Sequence, residues 1–277
     1  MSASTLSDVI QVAEQLWPAG TAEPWDRVGL VTGDPSARVR KVLLAVDAVR
    51  ATVDDALGWG ADLLMTHHPL LLRGVHSVAE NTGKGAMIAD LIRGNCALFT
   101  AHTNADQPDG GVSAVIAEQL GLQQCEPIIP AEGPGEHFGL GRTGRLEPAV
   151  TLREFAERVA RVLPATVSGV RVAGNPERMV TNIAVLGGAG DSVLDHPAVR
   201  ASDVYVTSDL RHHPAQDSLE LSLVAPGPAL IDVAHWASES LWLDGAAKRL
   251  GEELPNVEFR VSQVRTDPWD FAVGCDA

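Results

Sequence analysis

Four polar clusters in the chain set imidazoles beside carboxylates or beside each other: His67-His68, His102 with Asp106, Asp209 with His212-His213, and His235 with Glu239. Neutral imidazole and carboxylate together form a ligand set that zinc, iron, manganese and cobalt all accept. Two adjacent imidazoles serve two neighbouring cations when the backbone turns to aim both at one cavity, and Pro69 after the pair favours such a turn. His235 and Glu239 stand four apart, so on a helix they share one face. His102 and Asp106 repeat that spacing, but Pro108 and Gly110-Gly111 point to a loop, in which His102 orients a ligand or shuttles a proton. Each cluster alone also has a plainer reading. A lone His-His is more often one packed imidazole and one held by a loop, and a His–Glu pair at this spacing is more often a solvated helix face. Three histidines and two carboxylates together suffice for two metals, with Asp106 or Glu239 bridging. Such a centre is positively charged and attracts a phosphate or a polarised carbonyl.

Other chemistries find less support. Gly187-Gly188-Ala189-Gly190 reads as a strand-to-helix turn whose N–H groups can cradle an anion, but it lacks the G-x-G-x-x-G spacing and a Walker lysine. No G-x-S-x-G occurs and no cysteine neighbours a histidine, which removes nucleophilic serine and cysteine hydrolysis. The three cysteines, Cys96, Cys125 and Cys275, are scattered and form neither a disulfide framework nor a thiolate zinc site. Asp209, His212 and His213 read either as substrate contacts or as a polar helix start. Tyr205 reads as core.

The clusters need elements to carry them, and short apolar runs precede all four. Val42–Val46 ends in Asp47, and Leu63–Met65 in Thr66-His67-His68-Pro69. Ala97–Phe99 ends in Thr100-Ala101-His102, Val204–Val206 in Thr207-Ser208-Asp209, and Leu230–Val233 in Ala234-His235. Helical stretches lie between them, so the chain reads as α/β with mostly parallel sheets and right-handed crossovers. In such sheets ligands bind beyond the carboxyl ends of the strands. A first helix over 5–16 opens an N-terminal lobe, residues 1–122. Residues 123–178, with Pro127, Pro130 and Pro134, break the rhythm and read as a connector or small subdomain. The pattern resumes in a C-terminal lobe, residues 179–277.

Composition narrows the classes. Of the 277 residues 45% are hydrophobic and 21% charged, a globular mix that excludes wholesale disorder. No stretch approaches the roughly 18 uncharged apolar residues of a membrane span. The first 17 residues carry Asp8 and Glu14 and lack the basic start of a signal peptide, so the chain reads as cytoplasmic. A net charge of −15 argues against binding nucleic-acid backbones.

Taken in order, Glu23-Pro24-Trp25-Asp26-Arg27-Val28-Gly29-Leu30, Thr66-His67-His68-Pro69, His102-Thr103-Asn104-Ala105-Asp106 with Gly110-Gly111, Thr207-Ser208-Asp209 and His235 with Glu239 resemble the GTP cyclohydrolase 1 type 2 homolog family, the NIF-three-like dinuclear metal proteins. The resemblance spans residues 5–122 and 179–265. It implies two related α/β lobes with the metal site between them at the strand carboxyl ends, and a toroidal homohexamer with its metals facing an internal cavity. It implies His67, His68, Asp106, His235 and Glu239 as ligands of two divalent cations, one carboxylate bridging. His102 matches a family histidine near the metals that is not counted as a ligand, which leaves it the catalytic proton-transfer role. Arg27 stands where asparagine is common, Ser208 where glycine is, and Ala234-His235-Trp236 where Gly-His-Tyr is typical. None of these departures removes a ligand, and Ser208 and Trp236 bear on the shape of the substrate pocket. Residues 123–178 are shorter than the inserted domain of the family's long members.

The expectation is therefore a metal-dependent hydrolase that uses metal-activated water on a nucleotide, by ring opening of the GTP cyclohydrolase kind, or on another phosphorylated small molecule. A non-catalytic, metal-binding hexameric scaffold or regulator, and a metal-dependent phosphoesterase, would use the same ligands.

Overall fold

A computed structural model describes residues 4–133, 135 and 137–274, so Pro134 and Cys275 lie outside the described residues. The chain divides into two compact units, one within Met1–Ala105 and Leu243–Thr266, the other within Asp106–Trp242 and Asp267–Ala277. Both are mixed α/β. Among the described residues no helix is long and apolar enough to cross a membrane.

The first unit is built on a five-stranded sheet in the order Gly29–Thr32, Ala97–Thr100, Leu63–Thr66, Lys41–Ala45, Glu258–Val261. Every neighbouring pair is parallel except the first. Leu63–Thr66 and Ala97–Thr100 are buried at every position, which is why they read as unbroken apolar runs instead of alternating ones. Leu43, Val53, Leu64, Leu91 and Leu98 form the core between this sheet and the helices Arg50–Trp59 and Gly83–Arg93. Each such fully buried aliphatic side chain contributes about 2 kcal/mol. The first of those helices stops at Gly60, whose left-handed φ of 73° lets its N–H return to the carbonyls of Ala56 and Leu57.

The second unit carries a six-stranded sheet in the order Gln123–Glu126, Arg142–Thr151, Met179–Ala189, Val204–Ser208, Ala229–Val233, Arg171–Ala173. Its centre, Met179–Ala189 to Ala229–Val233, is parallel, and the flanking pairs are antiparallel. Residues 123–178, set apart by the sequence reading, supply three of these strands and the helix Leu152–Val162. Arg142–Thr151 alternates buried and open positions over its first half, so it shows no apolar run to mark it.

The glycines at 187–190 also differ from expectation. The strand Met179–Ala189 runs through Gly187 and Gly188, and only a short 3-10 turn, Asp191–Val193, follows. Between the pairs Val185–Val206 and Ala189–Ser208 this strand advances four residues while its partner advances two. The surplus forms a bulge, which glycine at positive φ permits: Gly188 sits at φ 74°.

Candidate metal centre

In the first unit, three parallel strands end on one edge of the sheet, followed by Asp47, His67-His68 and His102. Beyond Thr66 the backbone stays hydrogen-bonded: the His67 N–H donates to the Ala45 carbonyl at 3.1 Å and the His68 N–H to Val46 at 2.8 Å. The Thr66 hydroxyl donates to the His68 carbonyl at 2.9 Å. Held this way, the two imidazoles come together, with ring centroids 5.1 Å apart and planes at 49°. His102 joins them at 5.1 Å from His67 and 5.4 Å from His68. One ring nitrogen from each of the three lies within 4.8 Å of the others.

Each of these rings has its Nδ1 committed. His67 Nδ1 donates to the Ala101 carbonyl at 2.9 Å, His68 Nδ1 to Asp47 Oδ1 at 2.7 Å, and His102 Nδ1 to Asp26 Oδ1 at 2.9 Å. A carbonyl can only accept, so His67 carries its proton on Nδ1 and presents the lone pair of Nε2. Carboxylates impose the same tautomer on the other two. The second oxygen of Asp47 accepts from the Thr266 hydroxyl, which fixes that carboxylate in turn.

Asp26 reaches His102 because Gly29–Thr32 enters the sheet antiparallel, with Gly29 opposite Thr100. The residues before Gly29 therefore lie at the edge where His102 emerges. Asp26 Oδ2 also accepts the Thr103 N–H at 3.0 Å and the Thr103 hydroxyl at 2.5 Å. Burial opposes its ionisation, but the hydrogen bonds from His102 and Thr103 and the attraction of the imidazole outweigh burial. The carboxyl is held well below the usual range.

The second unit repeats the arrangement with different parts. His235 opens the helix His235–Ser240 after the strand Ala229–Val233, and Asp209 follows the neighbouring strand at φ 55°. His235 Nδ1 donates to Asp209 Oδ2 at 2.7 Å, and its Nε2 lies 2.9 Å from Glu239 Oε1. Glu239 is buried on the inner side of this turn. Two donors each about 2.1 Å from one cation stand about 3 Å apart, so this nitrogen and oxygen are spaced as co-ligands.

The bulged backbone passes directly beneath them. A Cβ at Gly188 would lie 2.5 Å from Glu239 Oε1 and 3.3 Å from His235 Nε2. The Gly188 N–H donates to Ser238 Oγ at 3.0 Å, and that hydroxyl donates to the His235 carbonyl at 2.8 Å. Ser208, where glycine is common in the resembled family, shares a 3.2 Å hydroxyl contact with Ser238.

Asp106 closes a helical turn, Thr103–Asp106, where a loop was expected, and is half-buried. Just beyond it, buried Arg142 donates to the carbonyls of Gln107 and Pro108 at 3.1 and 3.0 Å and to those of Gly139 and Gly141 at 2.8 and 2.7 Å. This guanidinium pins the backbone that leaves Asp106. His212 and His213 are exposed at the start of the helix His212–Leu221, the plainer of their two readings.

His67, His68 and His102 thus gather in one unit, and His235 with Glu239 in the other. The chemistry of His67 and His68 in one unit, and of His235 with Glu239 in the other, fits a divalent cation: Nε2 donors oriented through Nδ1, and a carboxylate beside one of them, with His102 adjacent to the first pair. Sequence reasoning missed Asp26, Asp47 and Gly188 and left Asp209 undecided. The signal for the aspartates was their place beside strand ends, which alone does not say which histidine each would meet.

A family model described as Duf34/NIF3 (NGG1p interacting factor 3) matches residues 4–268. A Streptomyces coelicolor protein named GTP cyclohydrolase 1 type 2 homolog is 47% identical over 270 residues, covering 95% of this chain and 93% of that one. A Mycobacterium tuberculosis protein of the same name is 36% identical over 375 aligned positions, 96% of this chain and 97% of the relative. That alignment exceeds the 277 residues here, so the relative carries additional sequence. Among solved structures, a Bacillus cereus protein related to NIF3 superposes with a TM-score of 0.89 at 25% identity, covering 98% of this chain and all of that one.

Proposed function

The chain belongs to the Duf34/NIF3 family, and from that membership we propose that it is a metal-dependent hydrolase acting on a nucleotide or another phosphorylated small molecule. His67, His68, Asp106, His235 and Glu239 hold two divalent cations in this reading, with a carboxylate shared between them. The observation that carries it is the uniform use of Nδ1: His67, His68 and His235 each donate that proton to a fixed acceptor. Packing histidines have no need of such uniformity, whereas metal-ligating histidines are held in this way.

Bound there, the cation pair would supply a water whose pKa is about 7 and an electrophilic pull on a substrate oxygen. The protein's own part is orientation and proton transfer. His102, locked by Asp26, presents an Nε2 lone pair that would take the proton lost by the attacking water and pass it to the leaving nitrogen or oxygen, and the Asp26 carboxylate stabilises the imidazolium while that proton is held. Assembly as a homohexamer belongs to the same proposal.

Element-resolved mass spectrometry on tag-free protein, before and after reloading, tests the reading. About two ions per chain are expected, falling together in Glu239→Ala and in His67→Ala, with hydrolysis of a nucleotide and phosphoester panel lost alongside. One ion or none after reloading, or a Glu239→Ala chain with full metal and full rate, overturns it. Two ions without turnover of any substrate would leave a metal-binding scaffold.

A further inference from the structure

The turn that brings Asp26 to His102 also presents an aromatic ring outside the core. Trp17 and Trp242 are each 1% exposed, whereas Trp25 is 56% exposed. Its backbone is nonetheless fixed on both sides. The Asp26 N–H donates to the Glu23 carbonyl at 2.9 Å, closing the turn, and the Glu23 N–H donates to Thr103 Oγ1 at 2.9 Å. Asp26 itself is buried on His102 and Thr103. The indole lies against the His102 imidazole with centroids 5.8 Å apart and planes at 77°. Trp25 is thus a preoriented ring, edge-to-face on the proton-transfer histidine and otherwise open to solvent.

We propose that Trp25 is a substrate-contacting residue that stacks on a planar nitrogen heterocycle, such as a nucleobase. This deepens the hydrolase reading and rests on it for the role of His102. Three observations converge on a heterocycle. An indole offers the largest π face of any side chain, and stacking accepts any base because every base has such a face. A ring stacked parallel to Trp25 stands near-perpendicular to the His102 imidazole, whose plane lies at 77° to the indole, and so comes within reach of His102 without being parallel to it. The sequence neighbours of Trp25 are exposed Pro24, buried Asp26 and exposed Arg27, which do not extend an apolar patch of the kind protein partners cover.

The test uses the full chain, wild type and the variants Trp25→Phe and Trp25→Leu, each checked for metal content and thermal stability. Guanosine, GTP and inorganic triphosphate are titrated by calorimetry, with and without zinc loading. Trp25→Leu is expected to weaken guanosine and GTP by about tenfold or more, the size of a lost base–aromatic stack. Trp25→Phe, which keeps a ring, should recover most of that loss, and triphosphate should bind all three proteins alike. Equal binding of guanosine to wild type and Trp25→Leu overturns the proposal. So does an equal loss of triphosphate, or a wild-type chain that binds no base-bearing ligand in either metal state. Zinc uptake is scored separately: a wild-type chain that takes up none defeats the metal reading, while guanosine binding without metal still decides for or against Trp25.

Discussion

Asp26 Oδ1 accepts the Nδ1 proton of His102 at 2.9 Å across 76 positions of sequence. The contact exists because an antiparallel edge strand enters the first sheet at the end where a parallel strand leaves it. One short polar segment thereby fixes the tautomer of the histidine that the proposed reaction uses to move a proton.

That contact makes stability depend on pH in a definite direction. The Asp26 carboxyl is held well below its usual range in the folded chain, so as pH falls through about 4 the unfolded chain takes up a proton that the folded chain refuses. Stability contributed by Asp26 is complete above that pH and declines below it. Urea unfolding of Asp26→Asn and wild type between pH 3 and 7 should show the variant weaker at neutral pH by about 1–3 kcal/mol, the range for disturbing a buried charged hydrogen-bond network. The two should converge as the pH drops, and a constant gap would mean the aspartate acts by shape alone.

Gly188 is expected to tolerate no side chain. A methyl group there meets Glu239 Oε1 at 2.5 Å, and the φ of 74° adds about 1–2 kcal/mol of backbone strain. Gly188→Ala should keep the far-ultraviolet spectrum of the wild type yet bind divalent metal about tenfold or more weakly, because the carboxylate must move aside. A competitive chelator titration measures it, and unchanged affinity would show that Glu239 has room to spare.

The aspartates behind the histidines should matter nearly as much as the ligands. Asp47→Asn and Asp209→Asn each replace a carboxylate on a histidine Nδ1 with an amide. Either change should lower metal affinity about 10–100-fold while leaving the fold intact. The same titration reads this, with thermal unfolding of the metal-free chains as the control. An effect on metal-free stability alone would assign these pairs to the fold and not to the metal.

The histidines and Glu239 were visible in the one-dimensional pattern for a physical reason. A parallel strand buried on both faces is a run of apolar residues, and a polar cluster at its end stands out against that run. His67, His68, His102 and the His235–Glu239 spacing all sit at such junctions, so residue type and position marked them before any coordinates. Strands Arg142–Thr151 and Arg171–Ala173 left no such mark, being open-faced antiparallel additions whose side chains alternate or remain exposed.

What residue order settled, then, was the α/β class and where the imidazoles and carboxylates fall at strand ends, because both depend on local burial and local chemistry. Sheet pairing settled the rest. Asp26 belongs to His102, Asp47 to His68 and Asp209 to His235 through strand neighbours far apart in the chain. Gly188 belongs to Glu239 through a bulge that only the register between two strands creates. Such contacts are set by which edges meet and in what register, and no local pattern of residues encodes that choice.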